Sequence, residues 1–209
     1  MPDVIDFDAL APYERYKMMA SLIVPRPVAW VTTRSADGVA NAAPFSMFAM
    51  VGEEPPLLMV SMDRRKEGNS KDSAVNIDAT GEFVVHLADE SLVEAMDACS
   101  AAHPPEVDEL ELLGIETRPA EVVGAPIIAD APVAFECELW QRLEIPSRHI
   151  YFGQVRRLHA RDGLIDRELW RVNLGDYSPV GRFGASFYTT TQDRFALAGA
   201  PTRTTIDSL

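Results

Sequence analysis

The sequence predicts a mainly β protein, an antiparallel barrel with short helical inserts, and three observations carry that expectation. Apolar and β-branched runs recur at residues 28–33, 39–43, 57–62 and 82–88, with two long runs at 132–145 and 147–159. The segments between them hold turn residues: Asp37-Gly38, Gly52 to Pro56 and Asp162-Gly163. Helical spacing is confined to short stretches. Six to eight strands with two or three helices is the pattern of a closed antiparallel barrel.

Taken in order, residues 1–20 form a polar lead-in with a short helix around 13–21. Asp37-Gly38 then turns one strand into the next, because glycine accepts the positive φ of a tight hairpin. Asn41, Pro44 and Ser46 interrupt the second strand, so Pro44 belongs at a strand end, an edge or a bulge, where freed amides become available to a ligand. Residues 72–79 have helical apolar spacing, and Gly81 ends them. Leu92, Ala95, Met96 and Cys99 lie at i, i+3, i+4 and i+7, an amphipathic stripe within 91–102 that His103-Pro104-Pro105 closes. Residues 120–130 read as a connector and 164–165 as a short strand. The last strong apolar segment ends at Tyr188, which leaves 21–188 as one domain. Residues 189–209, rich in threonine, are expected to be a mobile tail or an arm on a partner subunit.

Composition excludes several classes. A hydrophobic fraction of 47% over 209 residues suits one compact domain. A net charge of −13 argues against nucleic acid or an anionic membrane as partner, since both are polyanions. No run is apolar for long enough to span a bilayer, and the N-terminus lacks the basic and apolar regions of a secretion signal. Cys99 and Cys137 stand apart without paired spacing, which points to a reduced, cytoplasmic setting.

Three segments hold residues that suit chemistry. Between Asp63 and Lys71, four cations (Arg64, Arg65, Lys66, Lys71) face two carboxylates (Asp63, Glu67) on a strongly acidic chain. Ser70 stands where a helix N-cap is expected and Ser61 ends the preceding strand. Unpaired amides at a helix start favour an anion, so this segment reads as a phosphate cradle, or as a solvated loop before a capped helix. His149 opens a long strand whose Gly153 permits close approach of another backbone or a flat ring. Gly181-Arg182, with Tyr188 close behind, would place a cation and an aromatic ring over a planar ligand, or form a terminal strand with a rim arginine. The four histidines and two cysteines show no zinc-type spacing, so no metal site is expected. There is no Walker loop, Gly-x-Gly-x-x-Gly fingerprint or Gly-x-Ser-x-Gly elbow.

In this order the segments resemble the flavin reductase-like, FMN-binding split-barrel family, which includes flavoredoxins and oxygenase-associated flavin reductases. The resemblance rests on Arg26-Pro-Val-Ala-Trp-Val-Thr-Thr33 and Asn41-Ala-Ala-Pro-Phe-Ser46, then on Pro55-Pro56 with a strand ending at Ser61. It continues through Lys71-Asp72-Ser73, Asn76-Ile77, Gly81-Glu-Phe-Val-Val85, His149 with Gly153, and Arg182 with Gly184 and Tyr188. His86, Ser147-Arg148 and Ala185 depart from the family pattern. The resemblance implies a Greek-key split barrel and a homodimer binding FMN, less often FAD, near the subunit boundary. It places Asn41 and the Phe45-Ser46 backbone at the isoalloxazine edge, with Thr32 and Thr33 flanking it. Ser61, Arg64, Lys71 and Asp72 would meet the ribityl phosphate. NADH or NADPH would supply hydride, with His149 and Arg182 as contacts for the nucleotide or second substrate. A flavin-dependent oxygenase or redox protein would receive the electrons. A flavoredoxin-type electron carrier and an empty dimeric scaffold are the alternatives.

Overall fold

The computed structural model describes residues 3–65 and 68–195. Seven strands build one antiparallel sheet: β1 (Ala29–Arg34), β2 (Ala40–Phe45), β3 (Phe48–Glu53), β4 (Pro56–Asp63), β5 (Glu82–Leu87), β6 (Val133–Ile145) and β7 (Arg148–Ala160). Their spatial order is β2-β1-β5-β6-β7-β4-β3. The sheet curls around a core of Val31, Val60, Met62, Ile77, Phe83 and Tyr151, all fully buried. Burying each such large side chain is worth roughly 1.5–3 kcal/mol. The strand count alone pointed to closure and the resemblance to a split barrel; no strand ladder joins β2 to β3 among the described residues, so the barrel is split. Pro44, with no N–H to donate, sits in edge strand β2 beside that seam.

β1 reads as one apolar run because both its faces are covered. Ala29 and Val31 enter the barrel, while Trp30 packs outside with Ala42, Met96, Cys99, Leu110 and Ile128. The outer layer consists of α3 (Val93–Ala98), α4 (Glu109–Leu112) and the connector before β6. The expected helix over 91–102 is shorter than its stripe: a 3-10 turn precedes α3, and single turns follow it. Met96 and Cys99 nevertheless bury as the spacing requires.

Two further helices frame the seam. Helix α1 (Pro12–Leu22) starts with Pro12 in its first turn, and Glu14 accepts from the Ala11 N–H at 2.9 Å. Helix α2 (Asp72–Thr80) buries Ala74 and Ile77 in the barrel and ends at Gly81, whose φ of 74° is the left-handed cap that glycine supplies. The N-cap of α2 is Lys71, one residue later than expected, and the Ser70 hydroxyl pairs with His149 Nε2 at 3.1 Å instead of capping the helix.

The described part of the C-terminal segment is tied to its own chain. Thr191 Oγ1 donates to Pro179 O at 2.8 Å and Gln192 Nε2 to Glu90 at 3.0 Å. The remainder of the expected tail, 196–209, lies outside the described residues, as do Lys66 and Glu67 of the cationic loop.

Candidate active site at the barrel seam

Two adjoining hollows open along the seam, of about 480 and 490 Å³. They share Pro44, Asp63, Lys71 and Ser100. Phe45, Ser46 and Ser61 line the first; Asn41, Arg64 and Asp72 line the second. Seven of the residues proposed from sequence to hold a cofactor therefore meet in one cleft with Lys71 between its halves: Asn41, Phe45, Ser46, Ser61, Arg64, Lys71 and Asp72.

The first hollow gathers Lys17, Arg26, Lys71, Arg148 and Arg182 against Asp63 and Asp97, on a chain whose net charge is −13. Each cation is held by a local contact. Arg26 closes the end of α1, donating to Ile23 O at 2.8 Å and to Ala20 O. Arg148 donates to Ser61 O at 3.3 Å and lies over the Tyr16 ring. Arg182 donates to Ala185 O at 3.1 and 2.8 Å and stacks on Tyr188, 4.6 Å from its centroid. That turn places Ala185 at φ 38°, in the left-handed region that favours glycine. Lys71 Nζ rests 2.8 Å from Asp63 and 5.3 Å from the Phe45 ring centroid. Arg65 pairs with Asp72 and Arg64 with Glu144, while Arg64 Nε is buried without a partner among the described residues.

Three predicted site residues lie elsewhere, each for a visible reason. Thr32 is fully buried and spends its hydroxyl on Pro126 O at 2.6 Å. Thr33 is equally buried and accepts from Asn76 Nδ2 at 3.0 Å. Neither lines a hollow. His149 is 2% exposed and likewise lines neither hollow. Its Nδ1 sits 2.8 Å from Arg142 Nη2, and because arginine only donates, the ring proton is on Nε2, 3.1 Å from Ser70 Oγ. Burial, then Arg64 and Arg142, hold its pKa below the ordinary histidine value. His149 is thus a neutral strut beneath the cationic loop. The flat ring that Gly153 admits is the core's own Phe83, whose Cζ would stand 2.3 Å from an added Cβ.

The structure also adds site residues that the sequence reading passed over. Tyr13, Tyr16 and Lys17 bring the lead-in helix into the first hollow, joined by Arg26 from a recognised motif and by Arg148 from a departure beside one. The second hollow gains His103 and the buried Glu109, from a stretch with no motif and no clear period.

Residues 19–178 match the family model described as flavin reductase like domain. The chain belongs to the flavin reductase-like family. It is 33% identical to the 2-nitrobenzoate 2-nitroreductase of Pseudomonas fluorescens, with TM-score 0.85 over 96% of this chain and 98% of that one. It is 32% identical to nitrilotriacetate monooxygenase component B from Bacillus cereus, with TM-score 0.89 over 94% and 99%. A Shewanella frigidimarina protein with a split barrel domain has TM-score 0.76 over 91% and 94%; at 18% identity that likeness concerns the fold. The antiparallel split barrel is therefore the family's architecture, and its seam is where this flavin reductase-like chain gathers its cations.

Proposed function

We propose that this chain is an FMN-dependent oxidoreductase that accepts hydride from NADH or NADPH and passes electrons to an oxygenase partner or another acceptor. The observation that carries the reading is the convergence of Ser61, Lys71, Arg64 and the Phe45-Ser46 backbone on one cationic cleft in an acidic protein. The residues suit a phosphorylated planar ligand. Each hollow falls in the size range of small-molecule sites, roughly 300–1,000 Å³. The orphaned Arg64 Nε is a donor awaiting an acceptor.

When bound, flavin supplies the redox chemistry, which leaves the protein to hold and orient it. Lys71 and Arg64 would hold the phosphate through charge-assisted hydrogen bonds, with Ser61 as a neutral donor. Asn41 and the 45–46 backbone would hold the ring edge and supply fixed donors for the negative charge that reduction brings. Arg182, stacked on Tyr188, and Arg148, over Tyr16, offer cationic faces to the nucleotide or the acceptor. The two neighbours' names, a nitroreductase and a monooxygenase component, support a small aromatic acceptor or an oxygenase as outlets. We place the protein in the cytoplasm, a reading supported by its two buried free thiols. We take it to act as a homodimer, supported by half-exposed Trp140 and Leu143 on β6 and by exposed Met50 on β3.

Titration with FMN and FAD, followed by anaerobic mixing with each nicotinamide, tests the reading. Tight FMN uptake and rapid bleaching are expected. A yellow protein that neither nucleotide bleaches would mark an electron carrier, and absence of flavin uptake would overturn the proposal.

A further inference from the structure

Glu109 is a buried carboxyl group that the proposed function leaves without a role. It is 5% exposed, yet it lines the second hollow beside Asn41. Its helix, α4, is set in place at both ends of its contact surface. Asp108 Oδ1 accepts from the Leu110 and Glu111 N–H groups at 3.0 and 3.1 Å, and Leu110 buries among Trp30 and Cys99. Glu109 Oε2 then accepts from the Ala42 N–H at 3.0 Å. Because β2 is an edge strand, that N–H has no further strand to bond, and the carboxylate takes the strand's place.

The same oxygen governs Asn41. With Nδ2 turned toward Glu109, the amide donates to Oε2 at 3.2 Å, while Oδ1 accepts from Ser73 Oγ at 2.8 Å and from the Ala42 N–H at 3.1 Å. Turned the other way, Nδ2 donates to Ser73 Oγ at 2.8 Å but also faces the Ala42 N–H, and Oδ1 faces the carboxylate with no donor. The ionised carboxylate therefore decides which amide atom stands where. A protonated carboxyl would favour the reverse, since its O–H donates to Oδ1.

We propose that Glu109 is a positioning residue of the flavin site, whose ionised carboxylate fixes the orientation of the Asn41 amide and of the adjoining β2 backbone. This rests on the reading of the seam as a flavin site. Flavin affinity accordingly falls as Glu109 takes up a proton. Burial raises the Glu109 pKa above the ordinary carboxylate value. Of the groups facing it, the Ala42 N–H and His103 favour the charge, while Asp72 of α2 and the neighbouring Asp108 oppose it. Cys99, whose thiol burial pushes up to about 11, stays neutral beside it.

The test is FMN titration of the full chain from neutral to mildly acid pH, with Glu109→Gln and Glu109→Asp alongside. Gln keeps the volume and an acceptor for the Ala42 N–H, so the fold should survive; thermal melts verify this. Wild-type affinity should fall on the order of tenfold on acidification, in line with one charge-assisted hydrogen bond. E109Q should be weaker at neutral pH by a similar factor and flat with pH, and E109D should restore part of the acid limb. A full acid limb in E109Q, or unchanged neutral affinity, would overturn the proposal. A second readout needs no flavin: the Asn41 side-chain amide signals should titrate in the wild type and stay fixed in E109Q. Asn41 signals indifferent to Glu109 would also overturn it. Titrating signals in a protein that takes up no FMN would uphold the Glu109–Asn41 coupling while sinking the flavin reading.

Discussion

Two buried glutamates, both on the outer face of this barrel, have opposite electrostatic fates. Glu136, on β6, is fully buried beneath the 120–124 connector. It accepts from the N–H groups of Glu121, Val122 and Val123 at 2.9, 2.7 and 3.2 Å, and from His159 Nε2 at 2.5 Å. Burial opposes its charge, but those four donors outweigh burial and hold its pKa below the ordinary value. Glu109 has one backbone donor and one side-chain amide, and burial prevails. The number of aimed donors, not burial, separates a locked structural charge from one free to change beside a ligand.

The largest expected effect lies on the locked side. Glu136→Ala strands three amides and His159, which should cost about 3 kcal/mol or more of stability. Denaturant midpoints measure this, and a loss below about 1 kcal/mol would erase the contrast. FMN affinity, read on the folded fraction, should be unchanged. Next comes Lys71→Ala, on the cleft side. Lys71 is about one-third exposed and its pair with Asp63 meets water, so stability should move by under about 1 kcal/mol. FMN binding should weaken by roughly 1.5–3 kcal/mol, about 10- to 100-fold, if Lys71 meets the phosphate. Unchanged affinity would remove Lys71 from the cradle.

A smaller effect is one of sign. At Glu136 the unfolded chain holds the proton more tightly than the folded one. Its contribution is therefore present above the unfolded pKa and fades as pH falls through the folded one. At Glu109 the order is reversed, and its charged form costs stability as pH rises through that interval. Glu136→Gln should flatten the acid limb of the stability curve, and Glu109→Gln should steepen it. Slopes that change in the same direction would show that the two groups do not differ.

The barrel was legible because its signals are local. β1, β4, β5 and the first halves of β6 and β7 are runs whose side chains are buried on one or both faces, and Gly81 caps α2 where the spacing ends. β3 was not, since Phe48–Glu53 is a half-exposed edge without a clean alternation. The cleft was legible where motif residues cluster in sequence, at 41–46 and 61–72. Long-range pairings misled or hid the rest. Ser70 looked like a cap because its partner, His149, is 79 residues away. Glu109 gave no signal because the amide it holds is 67 residues upstream. The Tyr13–Lys17 face of α1 joins the site through contacts distant in sequence, Arg26 at the helix end and Arg148 over the Tyr16 ring.

The smallest effect sharpens the boundary between locked and free groups within a single strand. Thr32 and Thr33 follow one another in β1, and the family likeness sets both beside the flavin, yet both side chains are fully buried away from the cleft. The Thr32 hydroxyl is committed to Pro126 O, which ties the strand to the same connector that covers Glu136. Thr32→Val keeps the volume and removes that one bond, so it should cost about 1 kcal/mol of stability. FMN affinity and the rate of anaerobic reduction should match the wild type. A variant of normal stability that binds FMN several-fold more weakly would move Thr32 from the locked side to the cleft, and the division drawn from the two glutamates would fail within β1.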